Sequence, residues 1–300
     1  MLRRRRADAG RFVNAARRPP NDRNRRPPRR GRPVRRGAGD PHPASRTKGL
    51  GGEQVEGRQA VRELLVAGRR RVKELWLSTE LVETDGSVDD GVADLVALAA
   101  ANRVAVAHVS RSKLDARARS EAPQGVIAFA APLPEADLGD LIRGRAGRAP
   151  FLVGVDGVTD PGNLGAIIRS CDGAGVDGIL VPRHRAVHIT PTVAKASAGA
   201  VEHVPIALVP GLPSTLSRLR DERIWVVGLD DAADRSLFDL GDLATERICL
   251  VLGAEGTGLS RLVRDRCDVL VSIPMHGRIE SLNVAAAAAL ATYEVARHRS

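Results

Sequence analysis

Five polar residues are the side chains of this chain best suited to chemistry. They fall in three short segments, and each segment directly follows an apolar stretch: Asn163 and Arg169, then Glu255, then Ser281 and Asn283. A carboxylate can accept a proton, a guanidinium can stabilise developing negative charge, and amides or hydroxyls can orient a ligand. Their grouping therefore indicates a site that binds and activates a polar substrate.

The elements that must position these residues are predicted strands. Apolar runs at 151–155, 248–252 and 269–273 each precede one of the segments. Predicted helices alternate with the strands, a pattern typical of a parallel sheet. Open sheets of this kind bind ligands at the carboxyl ends of their strands. The three polar segments are therefore predicted to meet at one edge of the sheet.

A second, smaller α/β unit is predicted earlier in the chain, with a mainly parallel sheet. Gly68 is a good carboxyl cap for its first helix. We expect residues 50–132 to form this unit, 133–150 a helical linker and 151–300 the larger domain. The helices of the smaller unit are predicted at 53–67 and 88–102, and its strands at 72–77, 104–109 and 125–130.

The amino-terminal segment differs sharply in composition from the rest. Residues 1–49 contain 17 Arg or Lys and three Asp, whereas the remaining chain has 29 bases and 33 acids. A segment rich in Arg, Pro and Gly cannot bury enough apolar surface to offset its chain entropy. It is predicted to be a disordered basic tail that binds polyanions such as nucleic acid, or one that only aids solubility.

Cysteine usage and hydropathy indicate a cytoplasmic protein. Cys171, Cys249 and Cys267 are an odd number without metal-type spacing, and their apolar neighbours are typical of core thiols in a reducing compartment. No apolar run reaches the ~20 residues that span a bilayer. The arginines after Met1 precede no apolar segment, so we expect neither a secretion signal nor a membrane or metal partner.

Three motifs together resemble those of a known enzyme family. The motifs are Asn163-x-Gly165-x3-Arg169, Gly253-Ala254-Glu255-Gly256 and Ser281-Leu282-Asn283. Any one motif alone would be weak, but their order and context make the resemblance specific. The chain is similar over about residues 52–300 to the SpoU (TrmH-like) RNA 2′-O-ribose methyltransferases of the SPOUT superfamily, and most to the bacterial 23S rRNA guanosine branch.

The resemblance implies a fold and a reaction. A carboxyl-terminal SPOUT domain with a trefoil knot would follow an RNA-binding domain similar to ribosomal protein L30e. The enzyme would use S-adenosylmethionine to methylate a ribose 2′-hydroxyl, most consistently of a guanosine in 23S rRNA. Family sites are completed across a symmetric dimer, so RNA and a second copy of the chain are the expected partners.

The resemblance also implies residue roles. Arg169 would be the central catalytic residue, with Asn163, Glu255, Ser281 and Asn283 around it. The family proposal makes the arginine the base, yet a guanidinium stays protonated in proteins. Arg169 could instead stabilise the alkoxide or hold a phosphate, and Glu255 could accept the proton. The residues that would contact the cofactor are Gly253, Ile273 and Leu282.

Alternatives remain at the level of substrate and class. The same chemistry could act on tRNA or on a 23S rRNA adenosine, as in antibiotic-resistance relatives. A catalytically silent RNA-binding or ribosome-assembly factor would keep the fold without the reaction. Lys195 could contact RNA phosphate or lie on a solvated helix face. An ion pair with Asp172 is the structural alternative for Arg169.

Overall fold

The computed structural model describes residues 49–81, 90–183, 188–279 and 281–300. These residues belong to one compact unit. The predicted tail at 1–49 lies, apart from its last residue, outside the described residues. Two sheets organise the unit, and we call the part built on residues 54–130 the first lobe and the part built on 151–298 the second lobe.

The first lobe is a four-stranded sheet with three helices. Its strands lie in the order β1-β4-β2-β3. Buried residues Leu64, Leu75 and Leu95 anchor the helices and the sheet in one core. The elements in chain order are β1 (Gln54–Glu56), α1 (Arg58–Ala67), β2 (Val72–Ser78), α2 (Asp90–Ala101), β3 (Ala105–Val109), α3 (Arg111–Arg117) and β4 (Val126–Ala130).

Two predictions for the first lobe are wrong. Residues 53–67 are predicted to form one helix, but the structure has strand β1 first and helix α1 after it. Gly57 separates the two, because its φ of 93° is incompatible with a helix. The sheet is not mainly parallel, since β4 runs antiparallel to β1 and β2, and only β2 and β3 are parallel. The Ser78 amide donates to the Gly125 carbonyl at 2.9 Å, so β4 starts at the edge where β2 ends.

The second lobe is the predicted parallel sheet. All six strands are parallel, in the order β10-β8-β9-β5-β6-β7. The connecting helix α4 (Leu138–Arg143) packs onto it through buried Leu141 and Ile142. The remaining elements are β5 (Phe151–Val155), α5 (Pro161–Gly173), β6 (Gly178–Pro182), α6 (Pro191–Ala196), β7 (Ile206–Val209), α7 (Leu212–Asp221), β8 (Trp225–Leu229), β9 (Ile248–Leu252), α8 (Arg261–Arg264), β10 (Val269–Val271) and α9 (Val284–His298).

The carboxyl-terminal helix α9 returns across the sheet from its edge strand to pack on α5. Arg299 holds its end in place by donating to the carbonyls of Ala149 at 2.7 Å and Ala244 at 2.8 Å. Its guanidinium also lies over the Phe151 ring. Burial lowers the pKa of Arg299 relative to its ordinary value. The end of α9 is therefore fixed to the second lobe by these contacts.

The cysteines are structural residues of the second lobe. Cys171 and Cys249 are buried, and burial raises the pKa of both thiols above the ordinary range. Cys267 is partly exposed, and burial raises its pKa to about 12. Thiols in this state are unreactive at neutral pH because the thiolate is the nucleophile. Within the described ranges no helix is long and apolar enough to cross a bilayer.

Candidate active site

The first polar segment is held by a helix start. The chain leaves β5 at the edge where parallel strands end. The Asp160 carboxylate then caps α5 by accepting a hydrogen bond from the backbone N–H of Asn163 at 2.7 Å. Pro161 occupies the first turn, where its missing N–H leaves no bond unmade. These two features fix the start of α5, and with it Asn163, close to the carboxyl ends of the parallel strands.

The second segment is a tight loop that follows β9. Ala254 and Gly258 exchange two backbone hydrogen bonds of 3.1 and 2.9 Å, which closes the loop on itself. A Cβ on Gly253 would lie 2.2 Å from the Gly258 carbonyl carbon. The absence of a side chain at Gly253 is thus required by the loop itself, whether or not a ligand approaches it.

The third segment joins the other two through side chains. The Asn283 Nδ2 donates to the Asn163 Oδ1 at 3.0 Å, and the Asn163 Nδ2 donates to the Glu255 Oε2 at 3.0 Å. Since a carboxylate only accepts, it fixes which way the Asn163 amide faces. Asn283 also caps α9 by accepting from the Ala285 amide at 2.9 Å. Side chains 120 positions apart along the chain therefore form one hydrogen-bonded row.

A cavity of about 250 Å³ opens beside this row at the ends of β8, β9 and β10. This volume is near the ~300 Å³ at the lower end of small-molecule sites. Backbone from the glycine loop and aliphatic side chains form much of its wall. Five of the predicted site residues line it: Gly253, Glu255, Ile273, Ser281 and Leu282.

Arg169 lies apart from the cavity of its own chain. It is exposed on α5, six residues beyond Asn163 and thus about 9 Å further along the helix axis. The guanidinium has no ion-pair or hydrogen-bond partner among the described residues, and the alternative pair with Asp172 is not formed. The three loops converge without this arginine.

An acidic wall of the cavity was missed in the sequence. Asp230 and Asp231 follow β8 and line the cavity together with Arg264. The Asp230 side chain is 7% exposed, and its Oδ2 lies 3.3 Å from the Arg264 Nε. A signal was present, because these carboxylates directly follow the apolar stretch at 224–229. Within the described residues no cluster of His, Cys, Asp or Glu could hold a metal ion.

Lys195 contacts the first lobe and does not simply lie on a solvated helix face. Its Nζ donates to the Ala122 carbonyl of the first lobe at 2.6 Å. The contact joins α6 of the second lobe to the loop that leads into β4. Lys195 is thus a bridging residue between the lobes.

Comparison with known proteins gives the family. The SpoU rRNA Methylase family matches residues 150–293, and the family described as RNA 2′-O ribose methyltransferase substrate binding matches residues 54–136. The chain belongs to the SpoU family of RNA methyltransferases.

Full-length relatives support this membership. The 23S rRNA (guanosine-2′-O-)-methyltransferase RlmB of Pseudomonas aeruginosa is 40% identical over 251 residues, which are 83% of this chain and 97% of that protein. The putative TrmH family tRNA/rRNA methyltransferase of Staphylococcus haemolyticus is 39% identical, over 82% of this chain and 95% of that protein. The SpoU methyltransferase AviRb of Streptomyces viridochromogenes, solved in complex with AdoMet, matches with a TM-score of 0.66 and 29% identity, over 82% of this chain and 90% of that chain.

Proposed function

We propose that this protein transfers a methyl group from S-adenosylmethionine to the ribose 2′-hydroxyl of a guanosine in 23S rRNA. The observation that carries the proposal is the hydrogen-bonded row of Asn283, Asn163 and Glu255 at the rim of the cavity. The rRNA guanosine is favoured because relatives that carry this activity in their names align over nearly their whole length.

The cavity suits the cofactor in both shape and charge. Ile273, Leu282 and Val271 offer apolar surface to an adenine ring, and the glycine loop offers backbone donors and acceptors. Three carboxylates in the cavity wall, those of Asp230, Asp231 and Glu255, outnumber the one guanidinium of Arg264, which favours a positively charged sulfonium. S-adenosylmethionine supplies an electrophilic methyl group when it is bound there.

The site residues divide the remaining work. Glu255 accepts the ribose proton, because it lies in the cavity wall and the Asn163 amide holds its carboxylate in place. Ser281 and Asn283 orient the ribose. Arg169 keeps its proton and stabilises the alkoxide or the neighbouring phosphate by charge. Gly253, Ile273 and Leu282 hold the cofactor.

A symmetric dimer would complete this site. Leu290 and Tyr293 are 40% and 53% exposed on α9, and Leu282 and Ile279 extend this apolar surface into the preceding loop. The Tyr293 side chain also covers Gly173, one turn from Arg169 on α5. A second copy seated on this face would cover the apolar groups and bring Arg169 to the partner's cavity.

The finer features of the fold belong to the same proposal. The trefoil knot expected for the family is part of this proposal, in which the segment that ends in α9 would be threaded before it packs on α5. The match of residues 54–136 to a substrate-binding family supports an L30e-like RNA-binding domain, followed by a linker at 133–150 and the methyltransferase domain at 151–300. The basic tail would add a disordered RNA-binding arm, and an rRNA substrate is consistent with a cytoplasmic location.

The test is to incubate the protein with methyl-labelled S-adenosylmethionine and 23S rRNA, and to map the label. We expect one ribose-methylated guanosine, with tRNA unlabelled in a parallel reaction. Label on a 23S adenosine or on tRNA would select one of the alternative substrates. Cofactor binding by calorimetry without label in any RNA would contradict the enzyme and favour an RNA-binding factor.

A further inference from the structure

The two lobes share one hydrophobic core. Leu64 and Leu75 of the first lobe belong to the same buried cluster as Ile167 and Val193 of the second lobe. Domains that move independently usually meet across smaller, more polar surfaces. A continuous core gives the lobes one fixed arrangement instead of a hinge.

A buried ion pair crosses between the lobes. Arg70 follows α1, and Glu202 lies in a 3₁₀ turn after α6. The guanidinium binds both carboxylate oxygens, with the Nε–Oε2 distance at 3.0 Å, and the two side chains are 3% and 1% exposed. Its Nη1 also donates to the carbonyls of Gly52 and Ala131 at 2.6 Å each. Because the planar Arg70 guanidinium has several fixed partners, it sets the orientation of one lobe relative to the other as well as holding them in contact.

Neighbouring contacts reinforce this attachment. Arg69 donates to the carbonyls of Glu202 at 2.9 Å and His203 at 3.3 Å. The His203 ring lies 2.9 Å from the Glu63 carboxylate. A Cβ on Gly199 would lie 2.5 Å from the Glu63 Cβ, so the two backbones are closely packed. This end of α1 is fixed to the second lobe by charge, hydrogen bonds and close packing.

Lys195 makes a separate attachment at the other end of α1. Its Nζ reaches the Ala122 carbonyl, and its Cγ would lie 3.8 Å from a Cβ on Gly57, the residue that precedes α1. The ten residues of α1 span about 15 Å. Two attachments separated by this length prevent rotation of one lobe about either point alone.

The segment that carries these attachments also packs on the catalytic helix. A Cβ on Gly165 of α5 would lie 2.5 Å from the Ala196 Cβ and 2.8 Å from the Val193 carbonyl oxygen. Helix α5 carries Asn163 and Arg169. The first lobe is thus connected to the proposed catalytic residues through a single closely packed layer.

We infer that Arg70, Glu202 and Lys195 are positioning residues that fix the distance between RNA held by the first lobe and the methyl-transfer cavity. When RNA is bound to the first lobe, only the ribose at one fixed distance from that lobe then reaches the cavity. This inference rests on the proposed function. The contacts thereby determine which nucleotide is methylated, in addition to stabilising the fold.

Two variants test the inference. Glu202→Gln removes the buried charge, and Lys195→Met removes the second attachment at a partly exposed residue with little effect on the core. The matched control is Arg220→Gln, because Arg220 pairs with Asp268 inside the second lobe at 2.6 Å and does not cross to the first. Spin labels on Val66→Cys and Phe238→Cys, two exposed positions in different lobes, report the distance between them.

The expected result separates RNA presentation from cofactor binding. Both variants should keep the calorimetric affinity for S-adenosylmethionine within about twofold, because the cavity does not include them. Methylation at saturating 23S rRNA should fall about 10- to 100-fold for Glu202→Gln, as for a misplaced reactant. The fall should be smaller for Lys195→Met. Label should also spread to neighbouring riboses, and the distance distribution should broaden, while Arg220→Gln matches the parent protein in every measurement.

A purely structural role predicts a different result. If the folded fraction falls but folded molecules methylate the same nucleotide at the parent rate, the inference is wrong. An unchanged distance distribution in Lys195→Met would also overturn it, and this variant decides the question if Glu202→Gln does not fold. Absence of label in the parent protein would instead contradict the proposed function.

Discussion

The two lobes use a carboxylate at a strand end in opposite ways. Glu56 ends β1, is fully buried, and accepts from the amides of Arg119 at 2.7 Å and Ser120 at 2.9 Å as well as from the Gln54 side chain at 2.7 Å. Glu255 follows β9, is exposed at the cavity, and accepts from Asn163. A buried carboxylate whose oxygens accept several hydrogen bonds stabilises a fold. An exposed carboxylate with free acceptor sites can accept a proton.

Sheet topology explains this difference. In the second lobe six parallel strands end at one edge, so their loops meet. In the first lobe β4 runs against its two neighbours, so strand ends are divided between both edges. Under the proposed function, the first lobe would provide the surface that binds RNA, and the second would provide the reactive centre.

The comparison is tested most strongly by Arg169→Ala. If the arginine stabilises charge in the transition state, methylation should fall by about 10²–10³-fold with the affinity for S-adenosylmethionine nearly unchanged. Single-turnover labelling and calorimetry measure the two quantities. Turnover close to that of the parent protein would remove Arg169 from the site.

Matched substitutions of the two carboxylates sharpen the comparison directly. Glu255→Gln should lower the methylation rate by about 10²–10⁴-fold and leave the free energy of unfolding nearly unchanged. Glu56→Gln should lower the free energy of unfolding by about 1–3 kcal/mol, because buried amide donors lose their ionised acceptor, and should keep the rate per folded molecule. Urea denaturation measures the free energy of unfolding of both variants, and labelling measures their methylation rates. Equal rates for the two variants would contradict the proposed role of Glu255.

The glycine loop allows a comparison within the site. Gly253→Ala should weaken cofactor binding by about 1–3 kcal/mol, because the added Cβ must displace the Gly258 backbone. Gly256→Ala should have a smaller effect, since its φ of 77° is strained for alanine but its surroundings are open. Calorimetry with S-adenosylmethionine ranks the two. The reverse order would show that the loop does not need the close approach at Gly253.

The smallest effect is expected from the basic tail. Removal of residues 1–49 should weaken RNA binding more at low salt than at high salt, since exposed charges are screened beyond about 10 Å at 0.1 M salt. The slope of log affinity against log salt should decrease accordingly. Filter binding of 23S rRNA over a salt series measures it. An equal loss at all salt concentrations would rule out a screened electrostatic role.

Sequence reasoning succeeded where one rule governed a whole element. Continuous apolar runs predicted the parallel strands of the second lobe, and the polar loops after them predicted which segments meet. It failed where pairing with a distant strand determined the structure of a segment whose apolar spacing is typical of a helix. Val55 fits the apolar face of a helix, yet it pairs with Ala128 in a sheet because Gly57 interrupts the backbone.

Long-range contacts also escaped the sequence. The partner of Lys195 is a carbonyl oxygen, and every residue has one, so no pattern could identify Ala122. Asp230 was detectable by its place after a strand, but its burial and its pairing with Arg264 depend on how α8 packs. The side-chain row through Asn163 was predictable only as a meeting of loops, and not as specific bonds.

That row has a consequence for biosynthesis. Its final member, Asn283, is made 120 residues after Asn163 and starts the last helix. A growing polypeptide can pair most of its strands early, as domains do during translation, yet the hydrogen-bonded row is incomplete until Asn283 has been synthesised. Partly synthesised chains on a ribosome would therefore be unable to modify the RNA that surrounds them.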